Sequence, residues 1–375
     1  MEDDISPIQE LQSFLNEIEA LAPTRQETEG TRVSYRSVSA EDVVEDSLPP
    51  EEDFGNDPFD ETTEEETAEQ VAVVDYQSAG VGPVVAVDCG IARLGETENG
   101  LVIALRASII VVRDNQAEIS LFRTGPVYLH NRHKLETLYQ MGVHLGKQDH
   151  FVEVDNDDPD NPRPTKVKSG MAHDAHKYGD RFRNWFERLT QKIAATKVEN
   201  GIVLLDGALT LRTLDTPDVF FHALAASASG NGNALIAISK QSMLQVDGKP
   251  IQFWLDDAPR RACYRNLTPL MRREDTERVL GNAYAARFSV LGPTFRMDVK
   301  AVDGQTDNEA INQFYNSALM RGGYPDILVR AHTHSYFTSA DVVQLQAQAG
   351  AKYRLVPRGE VDLSGIFGPF GGRFK

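Results

Sequence analysis

The sequence predicts an α/β protein in which helices flank a mixed β-sheet, and three observations lead to this class. Short apolar runs rich in β-branched residues recur along the chain, and glycine or polar turn residues end most of them, which is typical of buried strands. The first three runs follow one another without an intervening helix. Beyond them, segments with helical periodicity alternate with further apolar runs, as expected for strands that are linked by helices.

The elements follow from these patterns in chain order, and the Asp114-Asn115 turn joins the second strand to the third. We expect strands at residues 84–87, 101–112, 118–123, 202–205, 234–239 and 327–331, two more within 286–299, and an edge strand at 353–356. We expect helices at residues 130–146, 174–196, 219–226, 272–280, 306–320 and 339–349. Residues 151–170 are acidic and rich in proline, which predicts a loop.

Acidic residues are concentrated at the start of the chain. The 375 residues carry a net charge of −18, but residues 1–75 alone hold 23 acidic and three basic residues, or −20, which leaves +2 for the rest. We therefore predict two regions: an acidic, largely disordered segment at 1–74 with a short helix at 8–21, and one folded domain at 75–375. The acidic stretch at 39–70 is interpreted as a solubilising tail, and the alternative is a docking segment or an acidic mimic that covers a DNA groove.

Composition also excludes several classes of protein. The apolar runs are too short to span a bilayer, and the N-terminus lacks the features of a secretory signal. Cys89 and Cys263 are the only cysteines, so neither a disulfide framework nor a cysteine-based zinc site is expected. We expect a cytoplasmic protein without a membrane partner. The near-neutral charge of residues 76–375 is compatible with a local basic groove for nucleic acid.

Asp88 and Asp206 are the first candidates for chemistry. Each follows a short apolar run and precedes a glycine-containing turn, at Gly90 and Gly207. A carboxylate at the end of a buried strand is costly to desolvate unless it meets a metal, a cation or several donors. Two such residues indicate strand ends that converge on one site, and hard carboxylate oxygens suit Mg²⁺ or Mn²⁺. Either aspartate alone is also compatible with ordinary turn chemistry.

Glu187 is the candidate for a third carboxylate. It lies in the predicted helix between the two aspartate-bearing strands and follows Phe186. The alternative, which spacing alone favours, is an exposed glutamate that pairs with Arg183 at i−4 or Gln191 at i+4. Glu199 is a weaker candidate, because it is expected in the turn before the next strand.

A histidine and several cations complete the candidate set. His332 and His334 follow the apolar run at 327–331, and a histidine there could ligate a metal or protonate a leaving group. Lys240 follows another run and could contact a phosphate, although a solvated lysine at a strand end is equally compatible with its position. Basic residues that could contact phosphates, or else form solvated helix faces, are Arg181, Arg183, Arg188, Lys192, Arg260, Arg261, Arg265, Arg272, Arg273 and Arg278.

Four motifs in this order resemble the NurA family of DNA-repair nucleases, over about residues 75–358. They are Val-Ala-Val-Asp88-Cys-Gly-Ile-Ala-Arg-Leu-Gly, then Phe186-Glu187 ahead of Leu-Leu-Asp206-Gly-Ala-Leu, then Ile-Ser-Lys240-Gln-Ser242, and Gly323-Tyr-Pro-Asp-Ile-Leu-Val-Arg-Ala-His332. The resemblance implies an RNase H-like core whose central strands carry metal-binding carboxylates. It also implies 5′-to-3′ exonuclease and single-strand endonuclease activity on DNA with two Mn²⁺ or Mg²⁺ ions, in end resection during double-strand break repair.

The resemblance assigns roles to individual residues. Asp88 and Asp206 match the family's metal aspartates, Glu187 matches the glutamate between them, and His332, rather than His334, matches the closing histidine. Cys89 departs from the small glycine or serine expected after the first aspartate. The resemblance further implies a homodimer that works with a HerA-like hexameric DNA translocase. Lys240 and Arg183 are the residues that we expect to bind the DNA substrate.

Three other functions compete with the nuclease. An actin-like ATPase shares the core topology, but the chain lacks the usual later Gly-Gly phosphate loop. A metallophosphoesterase is suggested by Ala331-His332-Thr333-His334, but the early Asp-x-His and the central Gly-Asn-His of such enzymes are absent. A non-catalytic DNA-repair scaffold would keep the fold without cleaving DNA.

Overall fold

The computed structural model describes residues 6–35, 71–74, 81–158, 161–169 and 175–358, and the predicted disordered stretch at 39–70 lies outside them. The helices are α1 (Pro7–Leu21), α2 (Arg25–Thr28), α3 (Lys134–His144), α4 (Ala175–Ala195), α5 (Asp218–Gly230), α6 (Arg273–Thr276), α7 (Asp307–Ser317), α8 (Asp326–Ser335) and α9 (Ser339–Tyr353). Short 3₁₀ turns cover Asn131–His133, Ile251–Phe253 and Thr268–Leu270. No helix in the described part of the chain has the length and apolar content needed to cross a membrane.

The strands confirm the predicted class, a mixed sheet flanked by helices. They are β1 (Arg32–Tyr35), β2 (Ala72–Val73), β3 (Val84–Thr97), β4 (Gly100–Arg113), β5 (Gln116–His130), β6 (Val152–Asp155), β7 (Arg163–Val167), β8 (Ile202–Asp206), β9 (Ala234–Ser239), β10 (Gln245–Val246), β11 (Lys249–Pro250), β12 (Cys263–Asn266), β13 (Asn282–Arg287), β14 (Thr294–Lys300), β15 (Met320–Arg321), β16 (Tyr324–Pro325) and β17 (Val356–Pro357).

The centre of the sheet has the order β5-β4-β3-β8-β9. Strands β3, β4 and β5 form an antiparallel meander, whereas β8 and β9 run parallel to β3. Helices α4 and α5 provide the connections that these parallel strands require. The centre of the sheet is thus an antiparallel meander that continues into two parallel strands. Antiparallel strands β14, β13, β12 and β2 extend the sheet beyond β9.

Helices cover both faces of the sheet. One face packs against α1, α3, α4 and α5 around Phe182, Trp185 and Phe186, while the other packs against α7 and α8 around Phe314 and Leu328. Alternate residues of β3 and β8 enter the two cores, which follows from the two-residue period of a strand. The long apolar runs of the sequence therefore reflect strands that are buried on both faces.

The beginning of the chain contributes to the same body. Helix α1 buries Leu11, Phe14 and Ile18, and the Phe14 ring lies against Trp185 of α4. Strand β1 pairs with β3 and with β17, and β2 pairs with β12, so elements from residues 6–74 join the sheet of the later residues.

Several predicted elements are corrected by the structure. The strand predicted at 84–87 continues to Thr97, because β4 pairs along its whole length. The run at 327–331 is part of helix α8 instead of a strand, since a short apolar run is compatible with either when it is buried. The predicted loop at 151–170 contains the β6–β7 hairpin, and the predicted edge strand at 353–356 starts only at Val356 because Tyr353 ends α9.

Candidate active site

Asp88 and Asp206 occupy neighbouring positions on two parallel strands. Val87 of β3 is in register with Leu205 of β8, so the residues that follow lie side by side. Strand β8 ends at Asp206, whereas β3 continues, and β1 takes up the same edge of β3 only at Gly95. Between the stretch of β3 that pairs with β8 and the stretch that pairs with β1, this edge of β3 faces the side chains of neighbouring helices. The predicted convergence of the two strand ends therefore holds, although Asp88 lies within a strand.

The C-terminal end of α8 approaches this open edge at Gly90. A Cβ atom on Gly90 would lie 2.4 Å from the carbonyl oxygen of Ser335, so only glycine lets the helix come this close. Gly90 therefore serves close packing instead of the tight turn that the sequence predicted. The role of Gly207 is a turn, because its φ of 122° is unfavourable for other residues.

Asp88 receives two side chains from α8. His332 Nδ1 lies 3.1 Å from Asp88 Oδ2, and Ser335 Oγ donates to the same oxygen at 2.5 Å. Burial raises the pKa of Asp88, but the hydrogen bonds from His332 and Ser335 outweigh it and bring the pKa below its ordinary value. Asp88 is thus held as a carboxylate. The histidine of α8 that contacts Asp88 is His332.

Asp206 has a different set of partners. Lys240 Nζ donates to Asp206 Oδ2 at 2.7 Å, and Tyr324 Oη donates to Oδ1 at 3.3 Å. Burial raises the pKa of Asp206 above its ordinary value. The charge of Lys240 lowers this pKa, whereas the charge of Asp88 raises it further. Lys240 is 45% exposed, so this cation remains accessible from solvent.

Glu187 is buried on α4, and the alternative of an exposed glutamate is wrong. Gln191 Nε2 donates to Glu187 Oε1 at 3.1 Å, which is the i+4 contact expected from the spacing. The pKa of Glu187 is raised to about 7, chiefly by burial, while the Asp88 and Asp206 charges raise it further. The three carboxylates therefore lie close enough to repel one another.

Arginines from the same helix oppose this negative charge. Arg183 is half-buried, and the pKa of its guanidinium is raised by Glu187, Cys89 and Asp88 even though burial acts in the opposite direction. Arg188 also lowers the pKa of Glu187. The structure thus places Arg183 among the carboxylates.

Other predicted candidates lie elsewhere. Glu199 is exposed just before β8, at the opposite end of that strand from Asp206.

Ser335 and Tyr324 contact the two aspartates, and the sequence patterns assigned no role to either. The signal for Ser335 was its position three residues after His332, which places both on one helix face only if the segment is helical.

The donor set suits a divalent cation in its chemistry. No three histidine, cysteine, aspartate or glutamate side chains in the described ranges converge closely enough to hold a metal ion. The three carboxylates are hard oxygen donors, however, and the pKa of Glu187 is raised partly by the charges of Asp88 and Asp206. A bound cation would relieve this repulsion, so the residues fit a divalent metal in donor type and charge, although their spacing in the described ranges does not form a ligand cluster.

Comparisons with known proteins find structural similarity without sequence matches. The sequence matches no protein-family model and no curated protein. The structure is similar to the NurA nuclease from Sulfolobus solfataricus, with a TM-score of 0.45 and 13% identity over 76% of this chain and 87% of that one. A second NurA structure has a TM-score of 0.41 and 8% identity over 80% and 92% of the two chains. Endonuclease V from Ciona intestinalis, solved with an inosine-containing DNA, has a TM-score of 0.34 and 12% identity over 71% and 90%.

Proposed function

We propose that this protein is a divalent-metal-dependent deoxyribonuclease that hydrolyses phosphodiester bonds. The observation that carries the proposal is the placement of Asp88, Asp206 and Glu187. Two of these carboxylates lie side by side on parallel strands, and the third comes from the crossover helix that links those strands in the sequence. Phosphodiester hydrolysis requires such rigidly held hard oxygen ligands beside an open edge.

The residues divide into ligands and a proton carrier. Asp88, Glu187 and Asp206 would hold the Mn²⁺ or Mg²⁺ ions, which, when bound, supply a lowered pKa for the attacking water and charge stabilisation at the leaving oxygen. His332 lies on Asp88 and is 43% exposed, so its ring can also reach a substrate. We assign it the role of orienting or protonating the leaving group.

Lys240 and Arg183 are proposed to act on the phosphate in two ways. Lys240 lies at the solvent-facing side of Asp206 and can move from that carboxylate to a phosphate oxygen. Arg183 lies deeper, beside Glu187 and Asp88, where its charge would attract the phosphate and balance the carboxylates.

The cellular role of the proposed nuclease comes from the sequence resemblance alone. It comprises 5′-to-3′ exonuclease and single-strand endonuclease activity in DNA end resection, a homodimer, and a HerA-like hexameric translocase as partner. The structural similarities are too distant to add to it.

Cleavage of end-labelled DNA by the full chain tests the proposal. Single-stranded and blunt duplex DNA are incubated with Mn²⁺ or Mg²⁺, with EDTA, and with Asp88→Asn and Asp206→Asn variants. We expect metal-dependent cleavage that each variant lowers by more than about a hundredfold, because each removes a charged ligand. Glu118→Gln, at an exposed position of β5, is the matched control and should cleave like the wild type.

Two results would contradict the proposal. A folded wild-type protein that cleaves no DNA in either metal would leave the scaffold function, if it still binds DNA, or the ATPase function, if it hydrolyses ATP. Full activity in both aspartate variants would show that the cleavage arises at another site.

A further inference from the structure

The turn between β13 and β14 exposes two large aliphatic side chains. Within this turn, at residues 288–293, the side chain of Leu291 is 83% exposed and that of Val290 is 59% exposed. Single exposed apolar residues are ordinary on protein surfaces, but two adjacent ones at the tip of a turn form a compact apolar projection.

This turn lies at the end of the sheet where β8 finishes at Asp206. Asp206 pairs with Ile238 in β9, and the next residue, Ser239, pairs with Arg296 near the start of β14. Because β14 runs antiparallel to β9, the residues that precede it emerge at the end of the sheet where β8 finishes. The turn is therefore at the same end of the sheet as Asp206, with β9 between β8 and β14.

Aromatic packing gives the turn a rigid base. Phe288 and Phe295 stack with ring centroids 5.5 Å apart, and Phe288 also contacts Phe314 of α7 at 5.8 Å. Phe295 lies 5.3 Å from the ring of Tyr324, whose hydroxyl donates to Asp206. One continuous set of side chains thus connects the base of the turn to a proposed metal ligand.

Backbone contact fixes the turn against the β15–β16 hairpin. A Cβ atom on Gly323 would lie 3.0 Å from the Cα of Gly292, so the two loops touch through their glycines. The same hairpin carries Arg321, whose side chain is 71% exposed, and Lys240 lies 5.2 Å from the Tyr324 ring centroid. The apolar tip therefore has cations beside it, which suits a nucleic acid with its apolar base faces and charged phosphates.

The size of the tip favours a base pair over a protein partner. A stable protein interface buries about 800 Å² on each partner, which two aliphatic side chains do not provide. Insertion between stacked bases requires only one or two apolar side chains, and leucine is among the residues used for it.

We propose that Val290 and Leu291 form a wedge that unstacks the terminal base pair of a duplex and directs one strand to the carboxylates. The inference rests on the proposed nuclease function and deepens it, because it specifies how duplex ends become substrates for this site.

Fluorescence of a DNA duplex with 2-aminopurine in its terminal pair tests unstacking without cleavage. In EDTA, the wild-type protein should raise the fluorescence, and the Val290→Ser/Leu291→Ser double variant should bind the duplex but lose most of this rise. Val343→Ser on α9 removes a valine that is 57% exposed away from the turn, and it should behave like the wild type.

Cleavage assays with the same proteins test the consequence. The double variant should cleave blunt duplex about tenfold more slowly, yet cleave single-stranded DNA and a duplex with a splayed end at the wild-type rate, because these need no unstacking. Equal losses of cleavage on all three DNAs would overturn the wedge. No loss of cleavage on any of them would also overturn it, and would favour a turn that binds a protein instead of DNA. A fluorescence rise without cleavage in Mn²⁺ would refute the nuclease alone, whereas cleavage without a fluorescence rise would refute the wedge alone.

Discussion

The Arg296–Asp298 pair and the Asp88–Asp206 site are two ionic clusters of the same sheet, the first fully buried and the second partly exposed. Arg296 and Asp298 are fully buried, and two hydrogen bonds of 2.8 and 3.0 Å join them. Asp298 also accepts from the backbone N–H of Leu209, so the pair anchors the loop after Asp206. In this cluster, the two opposite charges are held against each other by paired hydrogen bonds.

The site is built differently. Its carboxylates repel one another, and the side chains that contact the two aspartates, Lys240 and His332, are 45% and 43% exposed. A closed pair contributes to a single rigid geometry, whereas carboxylates with solvent-accessible partners can exchange those partners for a metal ion. The candidate site therefore differs from a structural ion pair in the solvent exposure of its carboxylates and of the side chains that contact them.

Removing the buried arginine is expected to have the largest effect. Arg296→Leu leaves Asp298 buried without its counter-charge, which should lower the free energy of unfolding by about 3–5 kcal/mol. Urea unfolding followed by circular dichroism measures this change. Lys240→Leu is the matched variant, and it should cost less than about 1 kcal/mol because Lys240 is partly exposed. Equal losses in the two variants would remove the distinction between the clusters.

Glu187→Gln should stabilise the protein, with an effect that depends on pH. The pKa of Glu187 is about 7 in the folded protein against an ordinary value of 4.5, so ionisation favours unfolding. Stability should therefore fall as pH rises from about 4.5 to 7 and then stay low. In EDTA, we expect the variant to be up to about 3 kcal/mol more stable than the wild type at pH 8 and equal to it near pH 4. A difference that is constant with pH would contradict the raised pKa of Glu187 as the cause.

The two histidines of α8 provide the smallest and most selective comparison. His332→Ala should lower the rate of DNA cleavage by about a hundredfold, because its ring lies 3.1 Å from Asp88 and we propose that it serves the leaving group. His334→Ala, two residues later on the same helix, should stay within about twofold of the wild type. Melting temperatures of both variants control for folding. A loss shared by both would mean that the helix as a whole, and not His332, supports cleavage.

Local patterns were sufficient for most of the sheet. The runs at 101–112, 202–205 and 234–239 were predicted from β-branched apolar residues and lie in β4, β8 and β9. The Asp114-Asn115 turn is confirmed by the positive φ of both residues, which asparagine and aspartate tolerate. The convergence of Asp88 and Asp206 was also predicted, and it holds because the two residues follow Val87 and Leu205, which are in register on neighbouring parallel strands.

The α/β class, the central strands and the two candidate aspartates follow from local sequence patterns, because hydrophobic period and turn chemistry act over neighbouring residues. The helical state of residues 327–331, and the contacts of Ser335 and Tyr324 with the aspartates, arise from the folded chain. The burial of Glu187 beside other carboxylates also arises from the fold. These features depend on contacts between residues far apart in the chain, and burial and charge at such contacts are set by packing, which local patterns do not encode.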